Sequence, residues 1–198
     1  MSHVIITTAN IPEQYERRKQ QYIDSIETCL KYSHLFNSYT VLECVSEKEE
    51  YLDQYNTVYS TEGNLYPNKG LNELNHLRVF LEGSTLKDSE PIIKLSGKYI
   101  IDDSYFFEKV IELQHKFDSI FKNDDDVFEG NGYHTFFYCL KKRLFLDTIN
   151  SIDFSLVNDT PIEWDIKNYL MVMDKHIEID RLGITAYQGA NSERIFTA

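Results

Sequence analysis

Residues 3–10 read His-Val-Ile-Ile-Thr-Thr-Ala-Asn, a short β-branched apolar run that passes into polar residues. A run of this kind is typical of a buried strand in a parallel sheet. Asn10 and Pro12 suit the start of a helix, and apolar residues at helical spacing predict an amphipathic helix over about 12–32. A second apolar run, at 39–45, predicts the next strand. Strand, helix and strand in this order form the unit from which parallel α/β sheets are built.

Farther along the chain, predicted strands and helices alternate for about 110 residues, and a less regular half follows. The further predicted elements are a short helix near 47–54, a helix through Leu71, Leu74, Leu77 and Leu81, a strand at 91–96, a helix carrying Phe106 and Phe117, an acidic turn segment at 123–131, a strand at 135–140, a short helix through Leu144 and Ile149, a helix at 161–173 and one or two strands within 176–188. We therefore expect one α/β domain over 1–198, with a central, mostly parallel sheet flanked by helices.

The composition excludes several classes of protein. The 198 residues contain 20 Lys and Arg against 32 Asp and Glu, a net charge of −12. A chain this acidic is a poor general binder of nucleic acid, because phosphate contacts dominate that binding. No run approaches the ~20 apolar residues of a membrane span, and the N-terminus lacks a basic flank, so we expect a cytoplasmic protein. The three cysteines fit neither a disulfide framework nor a zinc site.

Polar residues that follow the predicted strands are the candidate ligand-binding groups, because ligands of open α/β sheets bind outside the carboxyl ends of the strands. Thr8 and Asn10 follow the first strand, and Arg17 or Arg18 lies a turn or two into the next helix. Backbone N–H groups and a guanidinium there suit a nucleotide diphosphate, whereas the alternative is that both arginines are solvated. No Gly-x-Gly-x-x-Gly or P-loop motif is present.

Three later residues, in two segments, add to this set. Glu43 ends the second predicted strand, where a carboxylate can hydrogen-bond a ribose or a base, although a solvent-facing strand residue is the alternative. Lys69 and Gly70 precede a helix. A lysine there can neutralise a phosphate and a glycine lets the backbone approach it, unless the segment is an ordinary polar turn capped by Asn72.

Lys94 lies inside an otherwise apolar strand, and Lys98 lies four residues later. Burying a lone ammonium is costly, so Lys94 must reach a partner or a ligand. Strand side chains alternate, so residues four apart are expected on the same face. The pair predicts an anion clamp in a protein that is acidic overall.

The order of these features resembles the GT-A fold of nucleotide-diphospho-sugar glycosyltransferases, in particular small bacterial and viral members. The resemblance rests on the motifs Asn68-Lys69-Gly70-x-x-Glu73 and Ile92-Ile93-Lys94-Leu95-Ser96-Gly97-Lys98-Tyr99, and it spans most of the chain. It implies a donor-binding half at about 1–110 and an acceptor-side half at about 111–198. The donor residues that it implies are Thr8, Asn10, Arg17, Glu43, Lys69, Gly70, Lys94, Gly97, Lys98 and Tyr99.

One departure from the family concerns the metal. Glycosyltransferases of this fold usually carry Asp-x-Asp after the central strand, where it holds Mn²⁺ or Mg²⁺, but this chain has Ser96-Gly97-Lys98 there. Those side chains offer no carboxylate for a hard cation. Two hypotheses follow: Lys98 replaces the charge of the metal, or Asp102 and Asp103 hold the metal. The alternative role of the two aspartates is to cap a helix.

The second half is expected to supply the acceptor site and the base. Sugar transfer with inversion, which the resemblance implies, needs a carboxylate that takes the proton of the acceptor hydroxyl. Glu163 is the first candidate and Asp165 the second, unless both only favour a helix N-terminus electrostatically. Trp164 is a candidate for stacking on a sugar, or it is a core residue. Tyr133 and His134 are candidates for the acceptor side.

The resemblance thus implies a glycosyltransferase that moves a sugar from a nucleotide-diphosphate donor, a UDP-sugar, to a glycan or other hydroxyl acceptor. Two alternatives stay open. A nucleotidyltransferase shares this sheet order but needs a Gly-rich nucleotide loop and metal-binding carboxylates, and neither is evident. A non-catalytic domain that binds a nucleotide-sugar or a glycan is consistent with the missing Asp-x-Asp.

Overall fold

The structure is a computed structural model that describes residues 2–124, 132–155, 161–187 and 195–197. The strands are β1 (His3–Thr8), β2 (Ser38–Glu43), β3 (Thr57–Tyr59), β4 (Pro91–Ser96), β5 (Ile100–Ile101), β6 (Ser119–Asp124), β7 (Gly132–Tyr133), β8 (Phe137–Lys141), β9 (His176–Ile179), β10 (Ile184–Tyr187) and β11 (Ile195–Thr197). The helices are α1 (Tyr15–Leu30), α2 (Lys69–Gly83), α3 (Tyr105–Leu113), α4 (Lys142–Ser151) and α5 (Ile162–Leu170).

The main sheet has the strand order β3-β2-β1-β4-β8-β6-β7, and β9 pairs with β6. Strands β1, β2, β3 and β4 run parallel, whereas β8 is antiparallel to β4 and to β6. The predicted central, mostly parallel sheet with flanking helices is confirmed. A small antiparallel sheet of β11, β10 and β5 lies beside it.

The two faces of the main sheet are packed by different helices. Val4 and Ile6 of β1 point to the face covered by α1 and α3, where they join Ile26 and Phe106 in one buried cluster. Ile5 points to the other face and belongs to the cluster formed with α2, α4 and α5. This alternation explains why β1 reads as a continuous apolar run: both of its faces are buried.

The second half departs most from the expected elements. Helix α3 ends at Leu113, so Phe117 is outside it, and β6 begins at Ser119. Asn123 and Asp124 of the predicted acidic turn are therefore part of a strand, where they pair with β7, while the earlier residues of β6 pair with β8 and β9. The expected helix near 47–54 is only a 3-10 turn at Glu50–Leu52, and the unpredicted β3 follows it. Both strands depend on distant partners, which local periodicity does not reveal.

Residues 125–131 of the acidic segment and residue 188 lie outside the described residues. In the described part of the chain, no helix is long and apolar enough to cross a membrane.

Candidate active site

A cavity of about 500 Å³ opens at the carboxyl ends of β1 and β4. The chain runs from β1 to β2 on one side and later returns to place β4 on the other side of β1, so the strand order reverses at this point. Ligands of open α/β sheets bind where the strand order reverses. The cavity therefore lies at the carboxyl ends of the strands, where the sequence predicted a ligand-binding site.

The N-termini of α2 and α5 both line this cavity, through Lys69 and Glu163. Asn68 caps α2 by accepting a hydrogen bond from the N–H of Gly70 at 2.8 Å. A Cβ added to Gly70 would lie 2.6 Å from Cδ1 of Ile162, the first residue of α5. The glycine therefore lets the two helix ends approach, which brings Lys69 and Glu163 to one cavity.

An ion pair joins Glu73, which lines the cavity, to the buried Lys94 behind it. Side-chain alternation along β4 points Lys94 toward α2, where its ammonium lies 2.9 Å from Oε2 of Glu73. Lys94 also donates to Oγ of Ser96 at 2.6 Å and to the carbonyl of Thr135 at 2.9 Å. Burial alone would raise the pKa of Glu73, but Lys94 and the hydroxyls of Thr7 and Ser96 outweigh it and hold the pKa below its usual value.

Three cations line the cavity: Arg18, Lys69 and Lys98. Burial lowers the pKa of Lys98 to about 8, and repulsion from Arg18, Lys94 and Lys69 adds to this effect, whereas Glu73 opposes it. The three cations lie close enough to repel one another, as the lowered pKa of Lys98 shows. An anion here would relieve the mutual repulsion of these cations.

Glu163 lies on the α5 side of the same cavity. Its Oε1 accepts a hydrogen bond from the hydroxyl of Thr135 at 3.2 Å. Burial raises the pKa of Glu163, although the Thr135 hydrogen bond and the Lys94 charge act in the opposite direction. A carboxyl group with a raised pKa in a cleft has the properties of a general acid or base.

Close contact between the ends of β1 and β4 shapes the cavity. The N–H of Gly97 donates to the carbonyl of Thr7 at 2.8 Å. A Cβ at Gly97 would lie 2.8 Å from that same oxygen and 3.1 Å from Cγ2 of Thr8, so no larger side chain fits without movement. The hydroxyl of Tyr22 reaches the carbonyl of Ala9 at 2.8 Å and fixes the loop after β1.

Glu43 has a different position from the one expected. Its side chain is completely buried and does not line the cavity. Its Oε1 accepts from the N–H groups of Asn10, Val45 and Ser46, and its Oε2 accepts from the hydroxyl of Thr8. The carboxylate therefore holds the loops after β1 and β2 together beneath the cavity, because a buried charge is stable only where such donors surround it.

Two polar side chains on the cavity wall have atoms without a hydrogen-bond partner among the described residues. Nδ2 of Asn10 donates to Glu49, while its Oδ1 has no partner. Nδ1 of His76 lies 2.6 Å from Oγ of Ser60, while its Nε2 has no partner. Burial lowers the pKa of His76. Unpaired buried polar atoms are costly, so a ligand that pairs with them gains free energy.

The structure brings together part of the predicted set. Of the residues predicted to bind or react, those that line the cavity are Thr8, Asn10, Lys69, Gly70, Gly97, Lys98, Tyr99 and Glu163. Arg18, rather than the exposed Arg17, is the arginine on the wall. Glu73, His76 and Thr135 also line the cavity and were not singled out as site residues. Glu73 was visible as the last residue of the Asn-Lys-Gly motif, but nothing local marked His76 or Thr135.

Lys94 does not form the expected clamp with Lys98. Lys94 is 1% exposed and does not line the cavity, whereas Lys98 follows the end of β4 at Ser96. The two lysines therefore do not lie on one strand, and the rule of alternating side chains does not apply across the turn between them.

The expected acceptor-side residues lie outside the cavity wall. Tyr133 is fully buried, and its hydroxyl lies 2.6 Å from Nε2 of His176 and 2.8 Å from Glu178. His134 is 3% exposed and packs on the ring of Phe136. Asp165 and the 36% exposed Trp164 lie next to Glu163 in α5 but do not face the cavity.

Asp102 and Asp103 lie beside the small sheet and not on the cavity wall. Asp102 accepts from the hydroxyl of Thr185, and Asp103 forms a salt bridge with Arg181 at 2.8 Å. Oδ1 of Asp103 also accepts from the N–H of Tyr105, so it helps to cap α3. The described ranges contain no group of three His, Cys, Asp or Glu side chains placed to hold a metal ion. These residues do not fit the metal site of the resemblance.

No protein-family model matches the chain. Several solved structures share its fold. A Bacillus anthracis protein described as a glucose-1-phosphate thymidylyltransferase superposes with a TM-score of 0.63 and 12% identity, over 93% of this chain and 89% of that one. The 4-diphosphocytidyl-2C-methyl-D-erythritol synthase of Anaerococcus prevotii superposes with a TM-score of 0.58 and 13% identity, over 91% of this chain and 86% of that one.

A third solved structure, from Desulfovibrio desulfuricans, is described as a nucleotide-diphospho-sugar transferase. It gives a TM-score of 0.54 and 12% identity, over 91% of this chain and 80% of that one. The fold is therefore that of the nucleotide-diphospho-sugar transferases, a fold shared with nucleotidyltransferases. At these identities the likeness establishes the fold, and function has to be argued from the site.

Proposed function

We propose that this protein is a glycosyltransferase that moves a sugar from a nucleoside-diphosphate donor to a hydroxyl acceptor. The observation that carries the proposal is one cavity lined both by the cations Lys98, Lys69 and Arg18 and by the carboxyl group of Glu163. A diphosphate leaving group needs positive charge, and an acceptor hydroxyl needs a base.

In this mechanism the diphosphate lies against Lys98, Lys69 and Arg18. Negative charge develops on the leaving diphosphate as the bond to the sugar breaks, and the fixed cations stabilise it. The nucleoside, a uridine in our proposal, extends toward Asn10 and His76, whose unpaired atoms accept or donate hydrogen bonds. No step requires a metal ion, because the charge at the diphosphate is supplied by side chains.

Glu163 is the proposed base. It removes the proton from the acceptor hydroxyl while that oxygen attacks the anomeric carbon from the face opposite the diphosphate, which inverts the configuration. Its raised pKa makes the carboxylate a stronger base than an exposed glutamate. The acceptor is a glycan in this proposal.

A second candidate function is nucleotidyl transfer, because two of the fold neighbours are described as nucleotidyltransferases. The same cations would then bind a nucleoside triphosphate, and a sugar phosphate would attack it with release of pyrophosphate. The two reactions differ in their products, so product analysis separates them.

The test is titration calorimetry with UDP, GDP, CDP and their sugars, followed by product analysis with UDP-sugars and with nucleoside triphosphates plus sugar phosphates. We expect UDP-sugar binding without added metal, and release of UDP with a glycan acceptor. Glu163→Gln should keep donor affinity and lose turnover, whereas Glu82→Gln, at the exposed end of α2, should change neither. Pyrophosphate release would favour the second function, and no binding of any nucleotide would exclude both.

A further inference from the structure

Thr135 connects the buried ion pair to Glu163. Its backbone carbonyl accepts from the ammonium of Lys94 at 2.9 Å, and its hydroxyl donates to Oε1 of Glu163 at 3.2 Å. Lys94 in turn is fixed by Glu73 at 2.9 Å and by Ser96 at 2.6 Å. A continuous set of hydrogen bonds therefore runs from α2 through β4 to the N-terminus of α5.

From this geometry we infer that Thr135 is a positioning residue for Glu163, and that the buried Glu73–Lys94 pair fixes Thr135 in turn. Lys94 is 1% exposed and does not line the cavity, so it acts on the reaction without touching a substrate. The inference deepens the proposed function, on which it depends only for the role of Glu163 as the base.

The position of Thr135 allows its hydroxyl to orient the carboxylate of Glu163. Thr135 lies in the turn before β8, between His134 and Phe136, whose backbone groups hydrogen-bond to Lys122 and Ser96. Its own carbonyl is held by the ammonium of Lys94. A fixed hydroxyl donates to the ionised form of Glu163 and not to a water molecule. The carboxylate is thereby held in one orientation, which general-base catalysis requires.

The charged groups around Glu163 act on it as well. Glu73 and Lys69 belong to α2, Lys94 belongs to β4, and Lys98 and Tyr99 follow β4. Among them, Lys94 favours the ionised form of Glu163 and Glu73 opposes it. A test must therefore separate the Thr135 hydrogen bond from these charges, and substitution of Thr135 leaves every charge in place.

The experiment is a ¹³C NMR titration of the glutamate carboxyl groups in the full chain, with Glu163→Gln used to assign the Glu163 signal. Thr135→Val removes the hydroxyl, and we expect the pKa of Glu163 to rise by about 0.5–1 pH unit, since a hydrogen bond contributes about 1 kcal/mol. Thr135→Ser should restore the wild-type titration. Thr148→Val, at a buried hydroxyl in α4, is the matched control. An unchanged Glu163 titration in Thr135→Val would overturn the inference.

The step from Lys94 to Thr135 is tested by a double-mutant cycle. Lys94→Met combined with Glu73→Gln removes both charges together. In that background, Thr135→Val should shift the Glu163 titration much less than it does in the wild type, because the hydroxyl has already lost its anchor. An equal shift in both backgrounds would show that Lys94 does not fix Thr135.

These results are distinguishable from a failure of the proposed function. The titrations need no substrate, so they report on the hydrogen bonds even if no sugar transfer is found. If transfer is found, the acidic limb of the pH profile of kcat/KM should shift to higher pH in Thr135→Val, by the same amount as the Glu163 titration, while the donor affinity stays unchanged. A limb that stays in place would show that the base is another group.

Discussion

The ammonium of Lys94 lies 2.9 Å from the carboxylate of Glu73, and this ion pair joins two motifs that lie 21 residues apart. Glu73 ends the Asn-Lys-Gly-x-x-Glu motif, and Lys94 begins Lys-x-x-Gly-Lys-Tyr. The pair explains why a lysine can stand inside an apolar strand: its charge is compensated by a carboxylate that lines the cavity.

Glu73→Gln should destabilise the protein strongly. The substitution leaves the Lys94 ammonium buried without an anion, and breaking a buried pair in this way costs roughly 3–5 kcal/mol. Urea unfolding measures the effect. The matched control is Asp147→Asn, which breaks the exposed Arg143–Asp147 pair and should cost less than about 1 kcal/mol. Equal effects of the two substitutions would contradict the role of the buried pair.

Binding of UDP should depend on the ionisation of Lys98. Its pKa of about 8 lies below the ordinary value, so the side chain is mostly charged at pH 7 and loses its proton as the pH rises through 8. Diphosphate affinity should therefore fall between pH 7 and pH 9. Calorimetry at both values measures this fall.

Two substitutions at Lys98 test this interpretation. Lys98→Arg should remove the decrease, because a guanidinium stays charged at pH 9. Lys98→Met should weaken UDP binding at pH 7 by about tenfold or more, the effect of losing one charge-assisted hydrogen bond. A decrease that persists in Lys98→Arg would assign the pH dependence to another group.

Gly97→Ala should destabilise the protein by about 1–3 kcal/mol, because its Cβ would lie 2.8 Å from the backbone oxygen of Thr7. Gly83→Ala is the control, since a Cβ there meets nothing within 4 Å. That change should stabilise the protein by about 0.4–1 kcal/mol through the unfolded state. Thermal or urea unfolding gives both values, and a neutral Gly97→Ala would show that the ends of β1 and β4 are not tightly packed.

Stability should fall as the pH decreases below about 6.5, in part through His3. Burial lowers the pKa of His3, whose ring nitrogens lie 2.7 Å from Oγ of Ser38 and 3.1 Å from Oγ1 of Thr40. The unfolded chain therefore binds a proton at His3 more readily than the folded chain does. As the pH falls from the pKa of His3 in the unfolded chain to its pKa in the folded chain, the free energy of unfolding decreases. In urea unfolding between pH 5 and 7, His3→Gln should flatten this dependence more than His34→Gln, at an exposed position.

Prediction from sequence succeeded where a residue's neighbours along the chain decide its structure. The apolar run at 3–8 and the helical spacing of leucines from Leu71 to Leu81 depend on local periodicity, and β1 and α2 formed there. The strands β3 and β6 were missed, because their backbone partners lie in distant segments. The residues that line the cavity divide in the same way. Lys98 and Glu163 were predicted from their places after a strand and at a helix start, whereas Thr135 has no local signal.

Local sequence patterns predicted the α/β class, the positions of the parallel strands β1, β2 and β4 and the residues that follow them, because side-chain alternation and helical periodicity are local properties. Which of those residues meet depends on the packing of segments that are distant along the chain. In the folded chain, Glu43 lies beneath the loops after β1 and β2, and Asp102 lies beside the small sheet. Arg18, and not Arg17, lines the cavity, and Lys94 pairs with Glu73. Such contacts depend on how distant segments pack, and the need to compensate every buried charge selects among the possible arrangements.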